Sequence, residues 1–301
     1  MAATRSVDAS GERLDDRVWL VTGATSGHGR AVARALAVRG ADVVLLGRNP
    51  SKCAAVQREI ADAAGGKAPD VLLCDLASRA EIDRAAEDYL ASGRPLHGLV
   101  NNAGLVNLSR QETVDGFEMV FAVNYLAMFQ LTLRLLPRLL ASAPARIVNV
   151  SSDMHKMSGP DLDDLDLRRG YGWARSYARS KRAILYFTRE LARRLEGTGV
   201  TVNAVDPGPV ASGIGSNNSA FLYGLVAPVL QAFFPSADRA ARTAIHLCTA
   251  PELETSTGGY WRFMKAKAAT VPREDEIGTA LWAESAVRTG VDHLAADRSG
   301  G

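Results

Sequence analysis

A doubly wound parallel α/β sheet, with helices on both faces, is the fold class the sequence predicts. Three observations carry it. From Val18 onward, short apolar runs alternate with longer stretches of helical period; the runs are apolar throughout rather than at every second residue; and no internal repeat or Pro/Gly/Ser-rich linker interrupts the pattern. Continuously apolar strands separated by amphipathic helices belong to parallel sheets buried on both faces. Right-handed crossovers then wind such a sheet outward in two directions. The strands expected are VWLVT (18–22), DVVLL (42–46), VLLC (71–74), GLVN (98–101), RIVNV (146–150) and VTVNAV (200–205). Each is short, rich in Val, Leu or Ile, and bounded by Gly, Asn, Asp or Ser. Residues 29–39, 51–64, 80–92 and 113–140 supply the helical stretches between them.

Composition narrows the function classes. The 301 residues are 47% hydrophobic and 23% charged, as in a globular protein and unlike a disordered tail, collagen or coiled coil. Lys+Arg of 35 against Asp+Glu of 33 leaves +2, too balanced for a nucleic-acid partner held by phosphate neutralisation. The three cysteines are far apart with no C-x-x-C, so neither a disulfide framework nor a metal site is expected, and Cys53 and Cys74 read as structural. The first 17 residues lack the apolar core of a signal peptide, and no run of about 18 apolar residues predicts a transmembrane helix. A cytoplasmic location follows as the expectation. One domain is expected over residues 14–290, between flexible segments 1–13 and 291–301.

The first strand runs into Thr22-Gly23-Ala24-Thr25-Ser26-Gly27-His28-Gly29 and then into RAVARALAVRG. Strand, glycine-rich turn and helix N-terminus stand in the order a dinucleotide needs. Glycines let the backbone approach a pyrophosphate, and free helix N–H groups favour the anion. After the second strand comes Gly47-Arg48-Asn49, with no acidic residue to accept ribose hydroxyls. Arg48 could instead clamp a 2′-phosphate, which points to NADP(H) in preference to NAD(H). Arg30 could assist from the helix start.

Further along, Tyr177-Ala178-Arg179-Ser180-Lys181 sets Tyr and Lys at i and i+4, on one helix face. A nearby ammonium would favour phenolate and lower the phenol pKa, so Tyr177 could exchange a proton with a carbonyl or alcohol oxygen. Ser152 follows the fifth strand in IVNVSSD, at the sheet edge where such folds bind ligands, and could stabilise negative charge on that oxygen. Ser151 is its rival, and the alignment of the motif favours Ser152.

The spacing G-x-x-x-G-x-G after Thr22, the Tyr/Lys pair and Ser152 together resemble the short-chain dehydrogenase/reductase family, over about residues 14–290. The resemblance implies a single-domain Rossmann-like sheet with a helical substrate lid at about residues 212–237. It implies that Thr22, Gly23, Thr25, Ser26, Gly27, His28 and Gly29 hold the cofactor with Arg48, Asp75 and Leu76. Asn102, Ala103 and Gly104 are implied beside the adenine ribose, and Pro207, Gly208 and Val210 beside the nicotinamide, with Tyr177 and Lys181 also at the cofactor. Asn124 in FAVNYLAMF resembles a fourth catalytic member, holding a water that links the lysine to solvent. The long Ser152–Tyr177 interval, GGYW, FMKAK and the ending Leu281-Trp282 resemble the retinol-dehydrogenase-like branch, here without its membrane-anchoring helix and similar to bacterial relatives. The resemblance also implies a homodimer or homotetramer paired through the helices that carry Asn124 and Tyr177.

Some positions depart from that pattern. His28 replaces an apolar residue and reads either as a tolerated substitution or as an imidazole near the cofactor, adding a pH dependence near 6–7. Asp206 stands where the branch often has His, and Met128 replaces another His. His155 is assigned to loop structure. The uncharged stretch 207–237 carries many large apolar side chains, which suggests an apolar lid over a lipophilic ketone, aldehyde or alcohol, or a partner or membrane contact. The expected activity is NADP(H)-dependent carbonyl reduction or its reverse. Reduction of a conjugated C=C by the same residues, and NADP(H) binding without turnover as a sensor or scaffold, are the other two readings.

Overall fold

The computed structural model describes residues 13–208 and 236–291. Six parallel strands form as expected: β1 (Val18–Thr22), β2 (Asp42–Gly47), β3 (Asp70–Leu73), β4 (Gly98–Asn101), β5 (Ala145–Val150) and β6 (Val200–Asp206). Two short strands not expected from the sequence follow, β7 (Tyr260–Arg262) and β8 (Lys265–Lys267). The sheet order is β3-β2-β1-β4-β5-β6-β7-β8, all parallel except for the antiparallel β7–β8 hairpin.

Apolar runs are needed because each strand feeds two cores. In β1, Val18 and Leu20 enter one core while Trp19 and Val21 enter the other; in β2, Val44 and Leu46 oppose Val43 and Leu45. The helices are α1 (Gly27–Val38), α2 (Pro50–Ala63), α3 (Arg79–Ala91), α4 (Met119–Phe121), α5 (Ala127–Ala141), α6 (Trp173–Arg194), α7 (Ala237–Thr249) and α8 (Glu274–Thr289). One core takes residues of α1, α2 and α7, and the other takes residues of α3, α5, α6 and α8. A π-turn, Ala122–Leu126, joins α4 to α5.

Met119–Ala141 is the one helical stretch among the described residues apolar and long enough to cross a membrane, and 83% of its apolar window is buried inside the protein, as in a core helix. The C-terminal α8 packs on α5 and α6. Its Trp282 stacks on Phe187 with centroids 5.7 Å apart and meets Phe129 edge-on at 5.0 Å. The apolar faces of α5 and α6 covered by α8 are therefore closed to a second copy.

Of the expected lid, only Ser236 and Ala237 fall among the described residues; Val210 and the remainder lie outside them. Strand order reverses between β1 and β4, and the carboxyl ends there open the crevice where doubly wound sheets take ligands.

Candidate active site

Thr22, at the end of β1, organises the glycine turn. Its hydroxyl oxygen accepts from the N–H groups of Asn102 (2.9 Å) and Ala103 (3.0 Å). The Asn102 amide donates to the carbonyl of Thr22 at 2.9 Å, tying β1 to the end of β4. Gly23 holds φ +62°, and a Cβ there would lie 2.8 Å from Ala103 Cα; a Cβ on Gly29 would lie 2.3 Å from Asn102 Nδ2 and 2.5 Å from the carbonyl of Gly23. The turn is thus a cradle that side chains would fill. Helix α1 opens after exposed Ser26, with no side-chain cap and no acidic residue in its first turn. Its free N–H groups and dipole are available to an anion.

At the end of β2, Arg48 is exposed and its guanidinium has no partner among the described residues. Arg30 is engaged with Glu59 at 3.3 Å. Asp75 uses one carboxylate oxygen for the N–H of Ala77 (3.0 Å), and half-buried Leu76 packs on the core beside it. Glycine cradle, open helix end and unpaired arginine fit a phosphorylated dinucleotide. His28 is buried, and its Nδ1 lies 2.8 Å from Asn102 Oδ1. Since the Asn102 amide nitrogen donates elsewhere, Oδ1 accepts and Nδ1 carries the proton. Burial pushes the imidazole pKa down, and Lys181 pushes the same way. The titration contemplated near 6–7 therefore moves lower.

Helix α6 brings the Tyr177/Lys181 face onto β5. Lys181 Nζ donates to the carbonyl of Val150 at 2.8 Å and lies 5.4 Å from the Tyr177 ring centroid. Ser152 Oγ, which accepts from the N–H of Met154 at 3.3 Å, stands near enough to the Tyr177 hydroxyl to favour its ionisation. Ser151 donates instead to the carbonyl of Lys181 at 2.8 Å, a buried structural bond. Asn124, on the π-turn, accepts from the N–H of Leu105 (2.8 Å) and donates to Ser180 Oγ (3.1 Å). Gly104 joins the groups: its Cβ position is 3.4 Å from Asn124 Oδ1 and 3.6 Å from Lys181 Nζ. Pro207 and Gly208 follow β6, where the N–H of Gly208 donates to Asp206 Oδ1 at 2.8 Å.

The expected acidification of the phenol does not prevail here. Burial pushes Tyr177 up to about 12, outweighing the lowering influence of Ser152, and Asp206 raises it further. Burial also lowers Lys181 to about 8. Tyr177 therefore keeps its proton at pH 7, beside a lysine that is still charged.

Asp206 and Arg262 are the pair that sequence reasoning missed. The nearest signal was Asp206 itself, in place of the expected His; nothing marked Arg262. His155, expected in a loop, is buried in a 3₁₀ turn over Asp153–Lys156, its Nδ1 donating to the carbonyl of Ser152 at 2.8 Å. Cys53, Cys74 and Cys248 are buried and free. Among the described residues no three His, Cys, Asp or Glu side chains gather as metal ligands.

The chain matches the short chain dehydrogenase family over residues 17–221. It is 38% identical to retinol dehydrogenase 13 from Homo sapiens over 279 residues, covering 91% of this chain and 84% of the human protein. An uncharacterized protein from Mycobacterium Paratuberculosis superposes with TM-score 0.73 at 29% identity, covering 94% of this chain and 97% of its own. A protein assigned as a short chain dehydrogenase from Escherichia coli CFT073, complexed with NADPH, gives 0.66 at 27% identity, covering 83% and 97%.

Proposed function

The chain belongs to the short chain dehydrogenase family, on its retinol-dehydrogenase-like side, and is an oxidoreductase acting on CH–OH or C=O groups; on that premise we propose that it is NADP(H)-dependent and interconverts a lipophilic ketone or aldehyde and its alcohol, with Tyr177 as the acid–base group. The observation that carries the reading is the meeting of Tyr177, Lys181 and Ser152 at the carboxyl edge of the sheet, beside the glycine cradle.

Bound nicotinamide would supply or receive the hydride. Tyr177, protonated at pH 7, gives its proton to the carbonyl oxygen. The phenolate left behind is held by the Ser152 hydroxyl and the Lys181 ammonium, and Ser152 also orients the oxygen. Asn124 fixes the loop after β4 against α6, keeping Gly104 beside the lysine. The unpaired Arg48 favours the 2′-phosphate, in keeping with the NADPH-bound structural neighbour. Exposed Met157, Trp173, Phe263 and Met264 lie on segments that follow or flank the strand ends carrying the site, and they favour a lipophilic substrate. We take the protein to be cytoplasmic, and its assembly to be a homodimer or homotetramer using surfaces other than those α8 covers.

The test is stopped-flow oxidation of NADPH against a ketone and aldehyde panel. Tyr177→Phe is expected to cut turnover by at least about 10²-fold while NADPH still binds. Arg48→Ala is expected to narrow the preference over NADH. Equal rates for Tyr177→Phe and the parent, or best turnover of small polar ketones, would overturn the reading.

A further inference from the structure

A charge couple at the ends of β6 and β7 has no part in the reaction described above. Asp206 is 2% exposed. Its Oδ1 accepts from the N–H of Gly208 at 2.8 Å. Its Oδ2 accepts from the Tyr260 hydroxyl at 3.3 Å and lies 3.2 Å from Arg262 Nε. Arg262 Nη1 reaches Asp153 Oδ2 at 3.2 Å, one residue beyond Ser152. Strand register sets this couple beside the acid–base pair: Val205 pairs with Val150, whose carbonyl binds Lys181 Nζ. A buried carboxylate and a guanidinium thus stand together on the flank of Tyr177 and Lys181.

We propose that Asp206 and Arg262 are positioning residues which, through opposite charges, set the pH at which Tyr177 exchanges its proton. The proposal rests on the assignment of Tyr177 as the acid–base group. Asp206 disfavours the phenolate and favours the ammonium, and its field reaches both Tyr177 and Lys181. Arg262, 3.2 Å from that carboxylate, offsets the field. Among the described residues, the other titratable groups and the hydroxyl facing the pair are His28 from α1, Ser152, Asp153 and His155 after β5, and Tyr260 from β7. Burial holds the two imidazoles and the Tyr260 phenol toward their neutral forms. Asp153 is turned to Lys156 and Arg262. Among the described residues, the Asp206–Arg262 couple is therefore the adjustable charge on this flank.

Asp206→Asn, Arg262→Gln, the double variant and Arg262→Lys test this in the full chain. Two readouts are needed: the acidic limb of alcohol oxidation with NADP+, and the titration of Tyr177 followed by ¹³Cζ-tyrosine NMR without nucleotide, the signal assigned with Tyr177→Phe. Asp206→Asn is expected to move both downward by about half a pH unit to one unit, and Arg262→Gln to move both upward by a similar amount. The double variant and Arg262→Lys should return close to the parent. Shifts in the same direction, or none in folded variants, overturn the proposal. If Asp206→Asn does not fold, Arg262→Gln against Arg262→Lys still decides, because only the former changes charge. If the parent turns over no carbonyl or alcohol, the functional reading fails while the NMR titration still judges the charge couple.

Discussion

Lys181 is a cation held where burial opposes its charge. It is 3% exposed, and its pKa falls to about 8 for that reason. At pH 7 it is charged in both folded and unfolded chains, so the folded state bears a cost of about 3 kcal/mol, from the gap to its ordinary value of about 10.5. Between about pH 8 and 10.5 the unfolded chain binds more protons, so this group makes stability rise with pH. Lys181→Met is accordingly expected to be inactive yet more stable than the parent at pH 7. Its margin should shrink by roughly 2–3 kcal/mol toward pH 11, as read from urea unfolding at several pH values. A margin independent of pH would show that the ammonium is not destabilised by burial. The Tyr/Lys spacing was legible in the sequence because a helix places i and i+4 together. The direction of the Tyr177 shift was not, since it depends on how completely the ring is enclosed. Asp206 and Arg262 were illegible as a pair for a related reason: only the pairing of β6 with β7 brings these distant residues to 3.2 Å.

At the scale of elements, α8 ties α6, which carries Tyr177 and Lys181, to the rest of the molecule. Trp282 is 3% exposed, packs on Phe187 of α6 and Phe129 of α5, and carries the Arg194 guanidinium 4.1 Å from its ring centroid. Tyr125, on the π-turn, shares a 2.9 Å hydrogen bond with Ser285 of α8. Trp282→Ala leaves a large hole in this layer and is expected to lower stability by about 3–5 kcal/mol in equilibrium unfolding. KM for carbonyl substrates should change little, because the tryptophan packs on Phe187 and Arg194, well along α6 from Tyr177. A loss below about 1 kcal/mol would mean that α8 is only loosely docked. The six long strands were readable because each must be apolar on both faces. The hairpin of β7 and β8 was not, since three residues are too few to show a period and Lys265-Ala266-Lys267 is exposed throughout. The π-turn was hidden as well, because its residues continue the apolar pattern of α5.

For the whole molecule, parallel strands gather the glycine turn, Ser152 and Asp206 at one edge of the sheet, so strand order alone predicts where the chemistry sits. Among the described residues, the same sheet leaves two lateral edges, β3 and β8, whose unpaired backbone groups could recruit another chain. In β8 the exposed Lys265 and Lys267 stand opposite Arg262 and Tyr260. Charged side chains on a short edge strand oppose strand-to-strand association. With α8 already covering the apolar faces of α5 and α6, these lysines guard a second route by which copies could meet. The pair Lys265→Val and Lys267→Val is therefore expected to increase the apparent mass in light scattering as concentration rises, beyond the parent's own assembly. The thermal midpoint should stay close to the parent's, because both side chains are exposed. An unchanged mass across the concentration range would show that shape, rather than charge, closes this edge.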